Sequence, residues 1–263
     1  MALPELEPEA FLVVGDTHSD LDYWRKIIAV AVLSQIKVIL SVGDLETSDG
    51  GDLNFISKLS ELLAEFSLTL IFVDGNHDRH SFLRYRVDGR YDRLCELRGN
   101  IFYAPRGCRW NWHGVDILAA GGAYSIDREA QERHMVYNPG EIISPVDVER
   151  CIQGGGADIV IAHDCPIEVD LATEHKEAFR PRRWTRGNSP ETDRNREALS
   201  AIVAWARPSV VFHGHYHLDY ETAYIGELSG LETRVIGLGA NAEPGSMRLV
   251  RVGSPTIEVE RVD

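Results

Sequence analysis

Cysteine is scarce in this sequence: the four residues Cys95, Cys108, Cys151 and Cys165 are scattered through 263 positions with no C-x-x-C pair. That excludes a disulfide framework and a structural zinc knot as readings, and leaves reduced, buried thiols. Positive charge is in deficit, with 27 Lys and Arg against 41 Asp and Glu and a net charge of -14. Such a surface repels a polyanion over most of its area, so extended nucleic-acid binding is not expected. No apolar run approaches membrane-spanning length, and the acidic first ten residues, with two prolines, lack the basic start and apolar stretch of a secretion signal. The expectation is a protein of the cytoplasm that does not enter a membrane. Low-complexity stretches, repeats of fixed period and long linkers are also missing, so the chain reads as one domain over residues 1–263. With 44% hydrophobic residues it has ample material for a core.

What is present is an alternation of strand and helix. Phe11 to Gly15 is a continuous apolar run that stops at Asp16, and helical periodicity follows from Leu21 to about Leu33. The unit recurs: Val38 to Val42 ends at Gly43-Asp44, a helix is expected over Leu53 to Phe66, and Leu68 to Val73 ends at Asp74-Gly75-Asn76-His77. Further strands are expected at Ile101–Tyr103, Val115–Ala119, Ile159–Ala162 and Val210–Phe212, with helices at Pro145–Ile152 and Glu197–Ala206. This pattern implies parallel βαβ units. From Asp219 to Val262 short β-rich segments separated by Gly and Pro suggest an antiparallel sheet. Two sheets packed face to face with helices outside would accommodate both halves.

In open α/β sheets ligands bind beyond the carboxyl ends of the strands, so the polar residues after each apolar run should converge. They are Asp16 and His18, then Asp44, then Asn76, His77 and Asp78, then His163, and finally His215 and His217. All are residue types that bind or serve metals. One Asp-x-His or one lone histidine carries no weight, but five such pieces at five strand ends do.

The order Asp-x-His, Gly-Asp, Gly-Asn-His-Asp, His, Gly-His-x-His resembles the calcineurin-like metallophosphoesterase superfamily, over most of the chain from Asp16 to His217. The resemblance implies an α/β fold, a four-layer α/β/β/α sandwich of two mixed sheets flanked by helices. It also implies two divalent metal ions at the strand ends. One would take Asp16, His18 and His217, the other Asn76, His163 and His215, with Asp44 bridging both. A bridging carboxylate brings two ions to about 3.5–4 Å, where they share a hydroxide and clamp a phosphoryl group. Imidazole, carboxylate and amide oxygen without thiolate suit Mn²⁺, with Fe or Zn²⁺ as alternatives. His77 would protonate the leaving alkoxide and Asp78 would orient its ring. The implied activity is hydrolysis of a phosphomonoester or phosphodiester, with a phosphorylated small molecule, nucleotide or phosphopeptide as substrate. A nuclease and a catalytically dead scaffold that binds protein are the alternatives. The first is opposed by the charge, the second by the retention of every ligand type.

The sequence departs from the resemblance in its second motif, Gly43-Asp44-Leu45-Glu46-Thr47, where a second Asp is missing and Glu46 or Asp49 is left to take its place. No Arg occurs between Asp44 and Arg79, which argues against a protein Ser/Thr phosphatase. Arg79, His80 and Tyr124 are candidate substrate contacts. So are Arg182 and Arg183, in a basic insertion at about 165–196 whose Pro181, Gly187 and Pro190 predict a loop over Lys176–Arg196. His213 reads as a strand-end histidine bonded to backbone, and Trp110 and Trp112 as packing residues on one strand face. His113, His134 and His175 receive no role.

Overall fold

Hydrophobic residues alternate between two destinations along each central strand, and this builds the layers. A computed structural model describes residues 6–45, 53–125, 140–171, 190–226, 230–241, 243–253 and 256–262. In chain order the elements are β1 (Ala10–Val14), α1 (Leu21–Leu33), β2 (Val38–Ser41), α2 (Leu53–Glu65), β3 (Thr69–Phe72), α3 (His80–Val87), β4 (Cys95–Arg98), β5 (Ile101–Tyr103), β6 (Arg109–Trp112) and β7 (Val115–Ala120). They continue with α4 (Pro145–Gln153), β8 (Ile159–Ala162), α5 (Pro190–Ala206), β9 (Val210–His213), β10 (Tyr220–Ile225), β11 (Glu232–Gly237), β12 (Met247–Gly253) and β13 (Thr256–Arg261). One sheet has seven strands in the order β13-β12-β1-β2-β3-β5-β4, the other six in the order β10-β11-β9-β8-β7-β6.

Phe11 and Val13 of β1 join Ile117, Ile161, Phe212 and Ile236 of the second sheet in a buried cluster between the sheets. The intervening Leu12 and Val14 pack outward on Trp24 and Ile27 of α1 and Leu59 of α2. On the far side Leu118, Val160 and Val211 pack on Cys151 of α4 and Leu199 and Val203 of α5. The period of two in the strands thus generates four layers, helix, sheet, sheet, helix. α1 starts where the Asp20 carboxylate accepts from the Asp22 and Tyr23 amides, both at 2.9 Å, and α4 starts with a Ser144–Asp147 capping box and Pro145.

Strand and helix bounds expected from the sequence agree with these to within one residue at each end, with exceptions. α3 and β4 were not foreseen. Only His80, Leu83 and Val87 of α3 are buried, so the helix carries almost no apolar periodicity to read. The expected loop over 176–196 is corrected at its end. Pro190 is the first residue of α5, a position where proline's missing N–H costs nothing. Arg196 in that helix donates to the carbonyls of Pro166 (2.9 Å) and Val169 (2.6 Å), a structural use of a side chain expected to belong to the basic loop. Arg182 and Arg183 lie outside the described residues, as do Glu46 and Asp49. The expected antiparallel sheet of the tail is also corrected. β10 and β11 join the six-stranded sheet, where β11 runs parallel to β9, while β12 and β13 join the other, where β12 runs antiparallel to β1. Trp112 is buried against Phe11 with ring centroids 5.2 Å apart, as a packing role requires. Among the described residues no helix is long and apolar enough to cross a membrane.

Candidate metal centre

The carboxyl ends of β1, β2 and β3 in one sheet face those of β8 and β9 in the other, and five loops meet there. They are laced together by backbone. His18 N–H donates to the Asp44 carbonyl (3.0 Å), Gly214 N–H to the His163 carbonyl (3.2 Å), and the His215 amide to both oxygens of Asp16 (3.2 and 3.0 Å). The Asp44 carboxylate accepts from the His77 amide at 2.9 Å.

Among the described residues, two groups of side chains have ligand atoms within 4.8 Å of one another: Asp16 with His18 and His217, and Asp16 with Asp44 and His163. In the first, Nε2 of His217 lies 3.0 Å from Asp16 Oδ2 and 3.1 Å from Nε2 of His18. In the second, Nε2 of His163 lies 3.4 Å from Asp44 Oδ1 and 3.1 Å from Asn76 Oδ1. His215 lies beside this group, its ring centroid 5.2 Å from that of His163. The structure therefore brings all seven expected ligands together, and Asp16 belongs to both groups. Nδ1 of His163 is 2.8 Å from the Val42 carbonyl, to which it donates, so Nε2 is the atom turned to the centre.

Electrostatics test whether a cation suits the place. Asp16 and Asp44 are buried at 0% and 1% exposure, and among the described residues neither pairs with lysine or arginine. Burial raises the pKa of Asp16, but His163 and His217 outweigh it and hold the carboxyl below its usual value. For Asp44 burial is again overcome, by His163, His77 and His18, and the carboxyl lies well below the usual range. Burial opposes the charge on His163, yet Asp44 and Asp16 lift its pKa to about 10. His215 goes the other way, to about 4, because burial dominates there. Two buried carboxylates that only imidazoles neutralise are a donor set suited to divalent ions. Backbone strain is concentrated at the same place. His18, Asp44, His215 and His217 all have φ between 44° and 66°, a region costly for side-chain-bearing residues and held where function requires it.

The other expected residues take differing positions relative to these groups. The His77 ring, half-buried, stands 5.6 Å from that of His18 at 80°. The Asp78 carboxylate, fully buried, accepts from the Gly75 amide at 2.8 Å and so braces the turn that carries His77. Arg79 precedes α3 with its guanidinium 6.0 Å over the Phe82 ring. His80, expected as a substrate contact, is buried with Nδ1 3.5 Å from Asp74 Oδ2. Tyr124 is half-buried, next to Ser125. His213 is fully buried, bonded to the Gly214 carbonyl at 2.9 Å and to the Tyr220 hydroxyl, and stays out of the ligand groups.

A supporting shell escaped the sequence reading. Asp74 at the base of the Asn76 loop takes the Tyr103 hydroxyl (2.8 Å) and the buried Arg106 guanidinium, which also donates to the carbonyls of Gly140, Glu141 and Ile142. Ser125 accepts from the Asn76 amide nitrogen at 3.1 Å and donates to Glu141 at 2.7 Å. Asp164, next to ligand His163, takes the Tyr216 hydroxyl and the Asn195 amide, both at 2.7 Å. The Gly121-Gly122 turn after β7 delivers Ser125 as well as Tyr124.

No curated protein sequence matches the chain. The crystal structure of TT1561 of Thermus thermophilus superposes with a TM-score of 0.58 at 13% identity, covering 97% of this chain and 99% of that one. A dimetal phosphatase from Danio rerio superposes with a TM-score of 0.56 at 10% identity, covering 96% and 95%. At these identities the likeness is one of fold. The family model for the calcineurin-like phosphoesterases matches residues 10–219, a span that holds every ligand position above, and the chain therefore belongs to the calcineurin-like phosphoesterase family.

Proposed function

We propose that the chain is a hydrolase of phosphate esters that works with two divalent ions, manganese foremost, one held by Asp16, His18 and His217, the other by Asn76, His163 and His215, with Asp44 between them. The observation that carries this is the pair of buried carboxylates faced by imidazoles from two sheets. Asp44 suits the bridging place because its carboxyl feels both His163 and His18, which belong to different ions in this division. When bound, the ions would activate water for attack and neutralise charge on the phosphoryl group. The protein's own residues supply the rest. The Val42 carbonyl holds His163 in one tautomer, the hydrogen bond from the His77 amide to the Asp44 carboxylate fixes the loop that carries His77, and the half-buried His77 would give a proton to the leaving oxygen. Asp78 acts through the loop, by holding the Gly75 amide. Four free cysteines, three of them with thiols pushed up to about 12 by burial, accord with a cytoplasmic location.

The test is hydrolysis of p-nitrophenyl phosphate and bis-p-nitrophenyl phosphate by chelated and manganese-reloaded protein. Chelation should abolish turnover, manganese should restore it, and Asp44→Asn should lower it by about 10³-fold or more, as loss of a metal-bridging charge implies. Undiminished hydrolysis in EDTA overturns the reading.

A further inference from the structure

Asn76 is the weakest member of its ligand set, because an amide presents an oxygen that can bind a metal ion and a nitrogen that cannot, and the two are interchanged by a half-turn. Something must choose between them. The Asn76 side chain is 4% exposed, with Nδ2 3.1 Å from Ser125 Oγ and Oδ1 3.1 Å from Nε2 of His163. Ser125 is itself fully buried, and both of its donors run to one carboxylate. Its hydroxyl lies 2.7 Å from Glu141 Oε2 and its amide 3.2 Å from Glu141 Oε1. Held as a carboxylate, Glu141 accepts from both Ser125 donors, and the Ser125 proton then points to Glu141. Ser125 Oγ can then only accept from Asn76, which forces Nδ2 toward serine and Oδ1 toward His163 and the ion.

We infer that Glu141 and Ser125 form a positioning relay that sets the amide of Asn76 so that its oxygen faces the metal centre. The assignment rests on the two-ion reading of the preceding subsection. It gives a role to a carboxylate that stands at 0% exposure. A buried charge is costly unless it is bonded, and here it is bonded twice to Ser125. The relay is also held rigidly at its far end. The Arg106 guanidinium donates to the Glu141 carbonyl at 2.8 Å and the Gly140 carbonyl at 3.0 Å, and the Ile143 amide donates to Asn195 Oδ1 at 2.7 Å. Gly122, at φ +100°, turns the chain after β7 and donates its N–H to the Asp74 carbonyl (2.7 Å), which delivers Ser125 to Asn76.

Glu141→Gln is nearly isosteric and breaks only the logic. A glutamine amide can donate to Ser125, which frees the serine proton for Asn76 and allows the amide to turn. The measurement is manganese titration of stripped protein by calorimetry, with ion counts by elemental analysis. Wild type should hold two ions, and Glu141→Gln and Ser125→Ala should each weaken one of them by about 10- to 100-fold, the usual cost of losing a residue that orients a ligand. The decisive arm uses Asn76→Asp, whose two oxygens make a half-turn irrelevant. In that background Glu141→Gln should cost nothing further in ion affinity. Should Glu141→Gln hold both ions at wild-type affinity, or keep its full penalty beside Asn76→Asp, the relay is wrong. A wild type that binds fewer than two ions overturns the two-ion reading itself and the relay with it. Ser125→Ala serves if Glu141→Gln fails to fold by circular dichroism.

Discussion

Three glycines flank the candidate ligands at places where no Cβ fits. A Cβ on Gly75 would stand 2.1 Å from Asp44 Oδ1 and 2.5 Å from the Asp44 amide nitrogen, one on Gly214 would stand 1.9 Å from Asp16 Oδ1, and one on Gly43 would stand 2.6 Å from Nδ1 of His163. The contact at Gly75 involves backbone, so rotating a side chain cannot relieve it. Gly75→Ala should therefore displace Asp44 at a cost of about 1–3 kcal/mol, which translates to about 5- to 150-fold in ion affinity if the whole cost falls on the bound state. Gly99→Ala, where nothing lies within 4 Å, should leave ion binding unchanged. Calorimetric titration of both variants checks this, and equal affinities would show that the loop yields more easily than its packing suggests. At this scale the candidate ligands stand out because each follows a buried apolar run. Their supports do not, since Arg106, Ser125 and Glu141 reach the centre across 32, 49 and 65 positions from Asp74 and Asn76, and no local spacing encodes such contacts. His80 misled for a related reason. Its neighbours in sequence are at the site, but one residue further along it becomes the first of a helix and turns inward to Asp74.

Elements reveal where local rules have two readings. Proline at 190 signals a break inside a helix but a good start at its first position, and only the packing of α5 decides. Its buried face carries Thr192 and Asn195 well before the apolar run at Leu199–Val203, so apolar periodicity placed the start seven residues late. Asn195 ties this early turn to the site. Its Nδ2 donates to Asp164 Oδ2 (2.7 Å) and lies 3.3 Å from the Gly122 carbonyl, while its Oδ1 accepts from the Ile143 amide (2.7 Å). Asn195→Ala would leave a buried carboxylate and a buried amide short of partners at about 1–3 kcal/mol each. Urea unfolding should show a loss of roughly 3 kcal/mol, and a loss under 1 kcal/mol would mean that water takes the place of the amide. The tail gives the same lesson for strands. The tail reads as short β-rich segments, but a strand's pattern does not name its neighbour, and β10 to β13 divide between two sheets.

At the scale of the whole molecule, the layered architecture follows from strands whose two faces both find apolar cover, and that much was written in the runs at β1, β2, β3, β8 and β9. The two-sheet closure has a second consequence, because it buries several histidines in states that oppose one another in their pH dependence. His80 and His213 both have pKa values lowered to about 4, chiefly by burial. For His80 the Asp74 carboxylate pulls back while Arg106 and Arg84 reinforce the shift. In protein stripped of metal, His215 joins them at about 4. An unfolded chain takes protons on these residues near pH 6.5, whereas the folded chain waits until about pH 4. Between those values the unfolded state binds more protons, so stability must fall as the pH falls. His163 has the opposite sign. Raised to about 10, it contributes stability that is complete below pH 6.5 and is lost as the pH rises toward 10, so it leaves the acid limb untouched. Three residues titrating together give a limiting slope of about 4 kcal/mol per pH unit, against a total of about 5–15 kcal/mol for an ordinary domain. Stripped protein should accordingly unfold between pH 6 and pH 4, above the range in which carboxylates titrate. Urea unfolding measured at half-unit steps from pH 7.5 should show the decline setting in near pH 6.5, and His80→Phe should reduce its slope by about one proton. Stability that stayed level down to pH 4.5 would mean that these imidazoles take up protons without unfolding the chain, and that the interior around Asp74 and Gly214 is better hydrated than its burial implies.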